Sequence, residues 1–405
     1  MGASAFALIV LWALGCAHSA TAGPMLGNAP KTCFWSDVVD PPHKNIVLPD
    51  ANATYWYSRF TLPAGGRVVL HGTFPHARSF FLWNYQLLTP HDGLHDAQIT
   101  PATAQHAQGV QLIYRVYLPD AGRGRTGGAG LPAARYVPAG GPPHAGQAAC
   151  DALHNDAAQT PNPGPLLAPD YPAHLALSPD LTHPAIDPIR WYAFFNLPRL
   201  WEPFDQGTPA QGLIAALPTE KAALAVAPQA DSGIAYSYVD RSLGPDRNGH
   251  NVLVLRGRLP ATPRTFHGNR RARATTQLRY WSICQDDSFV VGRVGDCLYD
   301  EQVPVDRRRR YRIVVSLPQD RPANATAACG VAWLDYGTLG DGLLKPHAGL
   351  LLLRNQLADP SFRPTIANVD KPGTERQVMG DYLPSGSYES RAQFEAGGCK
   401  RPLRG

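Results

Sequence analysis

A chain of 405 residues with 44% hydrophobic and only 17% charged side chains is neither a coiled coil nor a disordered, charge-driven protein. That length exceeds what one compact core usually serves, so two or more domains are expected. The net charge of +5 is divided unevenly: residues 1–205 carry 11 Lys and Arg against 13 Asp and Glu, and residues 206–405 carry 26 against 19.

Residues 5–14 form an apolar run too short to span a bilayer, and Ala20-Thr21-Ala22 follows as a small–any–small cleavage pattern. The expectation is a signal peptide over 1–22, with a lipid-anchored start at Cys16 as the alternative. No later segment has the length and apolarity of a membrane span, so the mature chain is expected in the periplasm or outside the cell.

Short runs rich in Val, Tyr, Phe, Trp and Thr, bounded by Gly and Pro, predict strands over 67–73, 79–86, 110–118, 252–259, 276–284, 311–317 and 349–354. Helical stretches are few, at 209–217, 220–226 and 360–368. Between the strand-rich halves, 136–230 reads as an irregular Pro/Gly/Ala-rich connection that packs across them and holds an aromatic knot at Trp191-Tyr192 and Trp201.

The halves repeat each other. Val68-Val69-Leu70-His71-Gly72-Thr73-Phe74-Pro75 matches Leu253-Val254-Leu255-Arg256-Gly257-Arg258-Leu259-Pro260 at an offset of 185, and the strand with Trp83 matches that with Trp281 at 198. Downstream, Tyr114-Arg115-Val116 aligns with Tyr311-Arg312-Ile313. The predicted fold is therefore mainly β: two related antiparallel β-sandwich or jelly-roll domains from internal duplication, at 23–135 and 231–405.

After signal cleavage six cysteines remain in an oxidising compartment, so disulfides are expected. Cys284 and Cys297 should pair, because they end neighbouring strands joined by a 12-residue loop, a crosslink worth roughly 3 kcal/mol. Cys33, Cys150, Cys329 and Cys399 allow three pairings.

Asp50-Ala51-Asn52-Ala53-Thr54-Tyr55-Trp56, Gly72-Thr73-Phe74-Pro75-His76-Ala77-Arg78, Tyr280-Trp281-Ser282-Ile283-Cys284, Asp320-Arg321-Pro322-Ala323-Asn324-Ala325-Thr326 and Met379-Gly380-Asp381-Tyr382 resemble motifs of a family of exported, uncharacterised bacterial proteins. The likeness runs from about Pro49 to about Gly397, with a more distant similarity to paired envelope domains of unknown function. It implies export and the paired β architecture and names no reaction.

Candidate chemistry is sparse. His91-Asp92-Gly93-Leu94-His95-Asp96 makes His91, His95 and Asp96 weak metal candidates, and the same stretch reads better as a solvated hairpin loop. No C-x-x-C, Gly-x-Ser-x-Gly or phosphate-cradling glycine loop calls for a cofactor or a nucleophile. The carboxylate pairs Asp286-Asp287 and Asp300-Glu301 should diverge, because neighbouring strand residues face opposite ways. Aromatic and arginine side chains on the repeated strands, Arg78, Trp83, Tyr85, Arg279, Tyr280 and Trp281, are the candidate ligand contacts, one of each aromatic pair being packed inward and the other left open. The run Arg307–Arg310 reads as a solvated turn. Nucleic acid is a poor partner for an exported chain without a recognition motif; an unknown small molecule or glycan, or an anionic lipid or polymer, fits better. The expected function is non-enzymatic binding, with cell-envelope association, at a site near the domain junction. The competing expectation is a secreted hydrolase or lyase with its site in that cleft.

Overall fold

The structure, a computed structural model, describes residues 28–46, 48–86, 89–95, 111–155, 188–193, 232–268, 276–288, 291–342, 345–370 and 373–399. The expected signal peptide, the helical stretches 209–217 and 220–226, Trp201 and Asp96 lie outside the described residues. What is described is mainly β, in several antiparallel sheets with a few short helices.

In the first half, β1 (Asp37–Val39), β2 (Ala53–Arg59), β4 (Ala77–Gln86), β5 (Thr89–His95) and β6 (Gln111–Pro119) form an antiparallel sheet in the order β1-β2-β6-β4-β5. Its strands do not simply alternate apolar with polar, because both faces are buried. Trp56, Phe80, Leu112, Tyr114 and Val116 pack on one face against Val68, Leu70 and Tyr136. Those three come from a second small sheet of β3 (Arg67–His71), β7 (Ala133–Val137) and β8 (His144–Ala145). On the other face, Ala53, Tyr55, Tyr57, Phe81, Trp83, Ile113 and Tyr117 meet Tyr280 and Tyr299 of the second half. Helix α1 (Gln147–Ala152) buries Ala149 and Cys150 in the first of these clusters.

In the second half, β9 (Tyr192–Ala193), β10 (Ser232–Asp240), β12 (Leu278–Asp286), β13 (Val294–Tyr299) and β16 (Ala348–Ala358) form an antiparallel sheet in the order β13-β12-β16-β10-β9. Here too both faces are covered, so Leu350-Leu351-Leu352-Leu353 can be continuously apolar. Trp281, Ile283 and Leu353 share a cluster with Leu253, Leu255, Ile313 and Val315. The latter belong to a four-stranded sheet of β11 (Asn251–Arg258), β14 (Arg310–Ser316), β15 (Ala332–Asp335) and β17 (Ser385–Ser390), in the order β15-β14-β11-β17. Its far face is partly roofed by Phe394 of α3 (Arg391–Ala396), whose Ser390 cap accepts from the Gln393 amide. A short α2 (Glu375–Met379) precedes β17.

Three disulfides link Cys33–Cys150, Cys284–Cys297 and Cys329–Cys399. The expected 284–297 pair is present across β12 and β13, where the two cysteines face each other in register. No helix among the described residues is long and apolar enough to cross a membrane.

All seven expected strands are present within a few residues of their predicted bounds. Two expected correspondences between the halves are not. Trp83 lies opposite Ile113 and packs between the halves, whereas Trp281 lies opposite Asn355 and packs inside the second half. Tyr114 and Tyr311 sit on β6 and β14, which occupy different kinds of sheet: β6 lies between β2 and β4 and is antiparallel to both, whereas β14 lies between β11, antiparallel to it, and β15, parallel to it. His91 and His95 are not in a loop: the backbone of 89–95 pairs as strand β5 with β4, since hydrogen bonding to a long neighbour overrides the weak strand preference of Pro, Asp and Gly. The short helical turn expected within 360–368 is present as one 3-10 turn, Ile366–Asn368, capped by Thr365 and not by Asp359. Within the expected connection, residues 147–153 pack on the first-half core, and 189–193 on the second.

Candidate functional site

The space between the halves was the expected place for a ligand, and side chains of both halves occupy it. Arg78, on β4, is buried and donates Nη1 to Asp300 Oδ2 at 2.7 Å, Nη2 to Glu301 Oε1 at 2.6 Å and Nε to Thr265 Oγ1 at 2.7 Å. Burial opposes its charge, and Asp300 and Glu301 outweigh that, holding the guanidinium above its ordinary value. Asp300 and Glu301 converge on one partner because the chain leaves β13 at Tyr299 into a 3-10 turn, which ends the strand alternation that would have separated them.

A second polar group lies beside it. Asp50 Oδ2 accepts from Ser282 Oγ at 2.6 Å and from the Tyr280 hydroxyl at 2.9 Å, and Arg354 Nη1 stands 3.9 Å away. Arg354 also donates to the Leu48 carbonyl at 2.7 Å and to Cys284 Sγ at 3.1 Å. Asp286 is fully buried, neither carboxylate oxygen has a hydrogen-bond partner among the described residues, and burial pushes its carboxyl well above the usual range, against the pull of Arg354. Main-chain and side-chain bonds close the seam further: Leu48 N to Gly292 O, Ala121 N to Phe266 O, and a reciprocal pair between the Asn45 amide and the Val294 backbone.

The sequence-predicted contacts fare accordingly. Arg78, Trp83, Tyr280 and Trp281 are all at most 2% exposed, so they present no open stacking face. The reason is that both faces of their sheets are covered, which removes the solvent side on which the expectation depended. Arg279 is part-buried, with its carbonyl accepting from Arg78. Tyr85, His91 and His95 are placed as strand backbone only. Among the described residues the one grouping with metal-ligand spacing is Asp50, Cys284 and Cys297, and its two sulfurs are joined in a disulfide.

Sequence reasoning missed Asp50 and Arg354 as partners, which lie 304 residues apart in the chain and meet only through the fold. Two His–carboxylate pairs were missed as well. His43 Nδ1 lies 2.7 Å from Asp40 Oδ1 and His250 Nδ1 lies 2.6 Å from Asp320 Oδ1, with both carboxylates buried and both imidazoles about half exposed. Beside the second pair, Arg391 N donates to the His250 carbonyl, and a shallow groove of about 670 Å³ is lined by Leu243, Gly244, Pro245, Tyr388, Glu389 and Gln393.

No protein-family model matches the chain, and no curated protein matches it. Among solved structures it is similar to an uncharacterised protein from Burkholderia cenocepacia, at 13% identity over 89% of this chain and 84% of that one, with a TM-score of 0.45. It is also similar to a protein from Vibrio parahaemolyticus, at 9% identity over 84% of this chain and 89% of that one, with a TM-score of 0.36.

Proposed function

We propose that the protein is an exported, envelope-associated binding protein of two related β-sandwich units, which holds an anionic glycan or headgroup without transforming it. One observation carries the ligand class. The charges between the halves are turned inward on one another, while Arg256, Arg258, Arg307, Arg308 and Arg310 of the second half face solvent. An excess of guanidinium forks on one surface favours carboxylate, sulfate or phosphate partners.

Relatedness of the two units is supported by register. Arg115 stands opposite Phe81 and Tyr55 in the first half as Arg354 stands opposite Ser282 and Ile234 in the second, and three residues later Leu118 and Leu357 both adopt positive φ, 44° and 53°. The Trp35 indole donates to the carbonyl of Pro132 just before β7, and the Trp191 indole to that of Pro384 just before β17. His71 opposite Ala133 and Arg256 opposite Ser385 keep the sequence offset of 185. On this reading Arg78 corresponds to Arg279 and Phe80 to Trp281. Export is supported by the three disulfides, which persist in oxidising compartments such as the periplasm or the medium.

A hydrolase is the second reading, favoured by the His250–Asp320 pair beside a groove. It ranks second because the imidazole is half exposed and the nearby Ser390 hydroxyl caps α3. Native mass spectrometry of protein recovered from periplasm and medium tests the choice: a retained anionic saccharide or lipid is expected. Turnover of ester, amide or glycoside polymers that is lost in H250N would replace binding with hydrolysis.

A further inference from the structure

β11 and β14 are neighbours in one sheet, and each carries two arginines two residues apart: Arg256 and Arg258 on one, Arg310 and Arg312 on the other. The register sets Arg256 directly opposite Arg312 and Arg258 directly opposite Arg310. Alternation puts all four on the same face, the face away from the Leu253–Leu255–Ile313–Val315 core. The result is a two-by-two set of arginine positions, spaced by roughly 5 Å across the strands and 7 Å along them at the level of the sheet. Arg256, Arg258 and Arg310 are exposed and Arg312 is part-buried.

Like charges directly opposite one another destabilise a sheet, so an array of this kind works against the fold that contains it. Local compensation is partial. Arg256 donates to Ser387 Oγ at 2.8 Å and to Glu389 Oε1 at 2.6 Å, Arg310 donates to Asp306 at 3.0 Å, and Arg312 reaches the Cys329 carbonyl at 3.2 Å. Arg258 lies over the Tyr382 ring at 5.2 Å. Burial and the neighbouring Arg256 both lower the Arg312 guanidinium, and Glu389 only partly offsets them. Among the described residues two carboxylates, Glu389 and Asp306, therefore stand against four guanidiniums, and the exposed Arg307 and Arg308 add positive charge at the turn before β14.

The array is built, not accidental in its aim. Between Arg256 and Arg258 sits Gly257, where a Cβ would come within 2.7 Å of the Tyr311 hydroxyl. The glycine leaves room for Tyr311, its cross-strand partner, to fill the inner face beneath the arginines, which fixes the register that turns all four outward. On the outer face the Ser385 and Ser387 hydroxyls adjoin Arg256, and Trp333 continues the sheet beyond Val314 with Arg321 stacked on it at 4.5 Å.

We propose that this outer face of β11 and β14 is the binding surface for an acidic polysaccharide, whose carboxylate or sulfate groups the paired arginines grip in succession; the assignment rests on the binding reading given above. A flat row of forks suits repeated planar anions along a chain better than a single small ion, which needs an enclosing site. It suits a polymer better than a bilayer, because the exposed large hydrophobic among the described residues is Phe74, on the other half.

The test compares wild type with R258Q/R310Q/R312Q and with R67Q/R123Q/R135Q, which removes equal charge from exposed positions of the first half. Polygalacturonate and dextran sulfate are the probes, neutral dextran and phosphatidylglycerol vesicles the controls, and titration calorimetry with thermal melts the readouts. The array variant should lose on the order of 10- to 100-fold in affinity for the anionic polymers, at about 2- to 5-fold for each of the three arginines removed, and should melt at or above the wild-type temperature. The first-half variant should bind as wild type does. Equal loss in both variants, or binding to the vesicles and not to the polymers, overturns the assignment. Wild type that binds the anionic vesicles but neither polyanion overturns it while leaving the binding reading, which includes a headgroup, standing; wild type that binds neutral dextran alone, or none of the four probes, overturns it, and catalytic turnover in the H250N comparison then tells whether hydrolysis replaces the binding reading.

Discussion

Replacing Arg78 by Met probes how strongly the two halves are tied. The side chain makes three bonds of 2.6–2.7 Å into the second half, two of them to carboxylates, and both Arg78 and Asp300 are shielded from solvent. Methionine keeps much of the stem volume and removes the charge, so the loss reflects electrostatics and not a large cavity. Breaking a buried pair by removing one partner typically costs about 3–5 kcal/mol, because the remaining charge stays desolvated. Asp300 Oδ1 already lacks a hydrogen-bond partner among the described residues, and Oδ2 would keep only the long bond from the Trp281 amide at 3.3 Å, which carries no compensating charge. The pH dependence follows from Asp300. Burial raises its carboxyl and Arg78 pulls it back down; without Arg78 it rises further. A folded-state value above the unfolded one means the native state holds more protons, so stability falls as pH rises from the unfolded value toward the folded one. R78M should therefore lose about 3–5 kcal/mol near pH 7.5 and much less near pH 4, by urea unfolding followed through tryptophan fluorescence. R78M/D300N should recover roughly half of the loss near pH 7.5, since the orphaned charge is gone. A deficit under about 1 kcal/mol, or one that is the same at both pH values, would refute the reasoning.

Asp296 gives a narrower pH signature. Burial raises its carboxyl to about 6, against bonds from the Asp335 and Cys297 amides, so the wild type should lose up to about 3 kcal/mol relative to D296N between pH 4 and pH 6. A flat difference between the two unfolding profiles over that range would remove the effect. C329S/C399S opens a bridge spanning 70 residues that anchors the segment after α3, and should cost about 2–4 kcal/mol in the same assay. G257A should cost about 1–3 kcal/mol by displacing Tyr311, and should weaken polyanion binding as the arginine face tilts; stability falling with binding intact would separate the glycine from the array.

The strands were legible where β-branched and aromatic residues made runs, as at β4, β6, β12 and β16. They were illegible where composition argued the other way: β5 contains Pro90, Asp92 and Gly93, and only its pairing with β4 makes it extended. The Cys284–Cys297 bridge was readable because it is local. On the proposed correspondence, register sets Arg78 with Arg279 and not Trp83 with Trp281, a shift of three from the match that the bulky residues suggest. An odd shift exchanges the two faces of a strand, which is why a tryptophan expected at equivalent places is found in two different cores.

The same geometry explains why Arg78, Trp83, Tyr280 and Trp281, four of the expected ligand contacts, are buried. Sequence pattern tells which residues alternate and leaves open whether the second face of a sheet meets water or another sheet. In the two central sheets it meets another sheet, so aromatic and arginine residues there became internal partners: Tyr117 packs on Tyr280, and Arg78 holds Asp300. Among the described residues the sheet of β11 and β14 has one fully covered face and one partly covered, and there the alternation of arginine with apolar residues does report exposure. On the proposed correspondence, the first half has His71 and Thr73 where the second has Arg256 and Arg258, and among the described residues no strand equivalent to β14 pairs with β3. A shared scaffold does not call for these four charges, and the cross-strand repulsion among them is therefore best accounted for by a partner that supplies the missing negative charge.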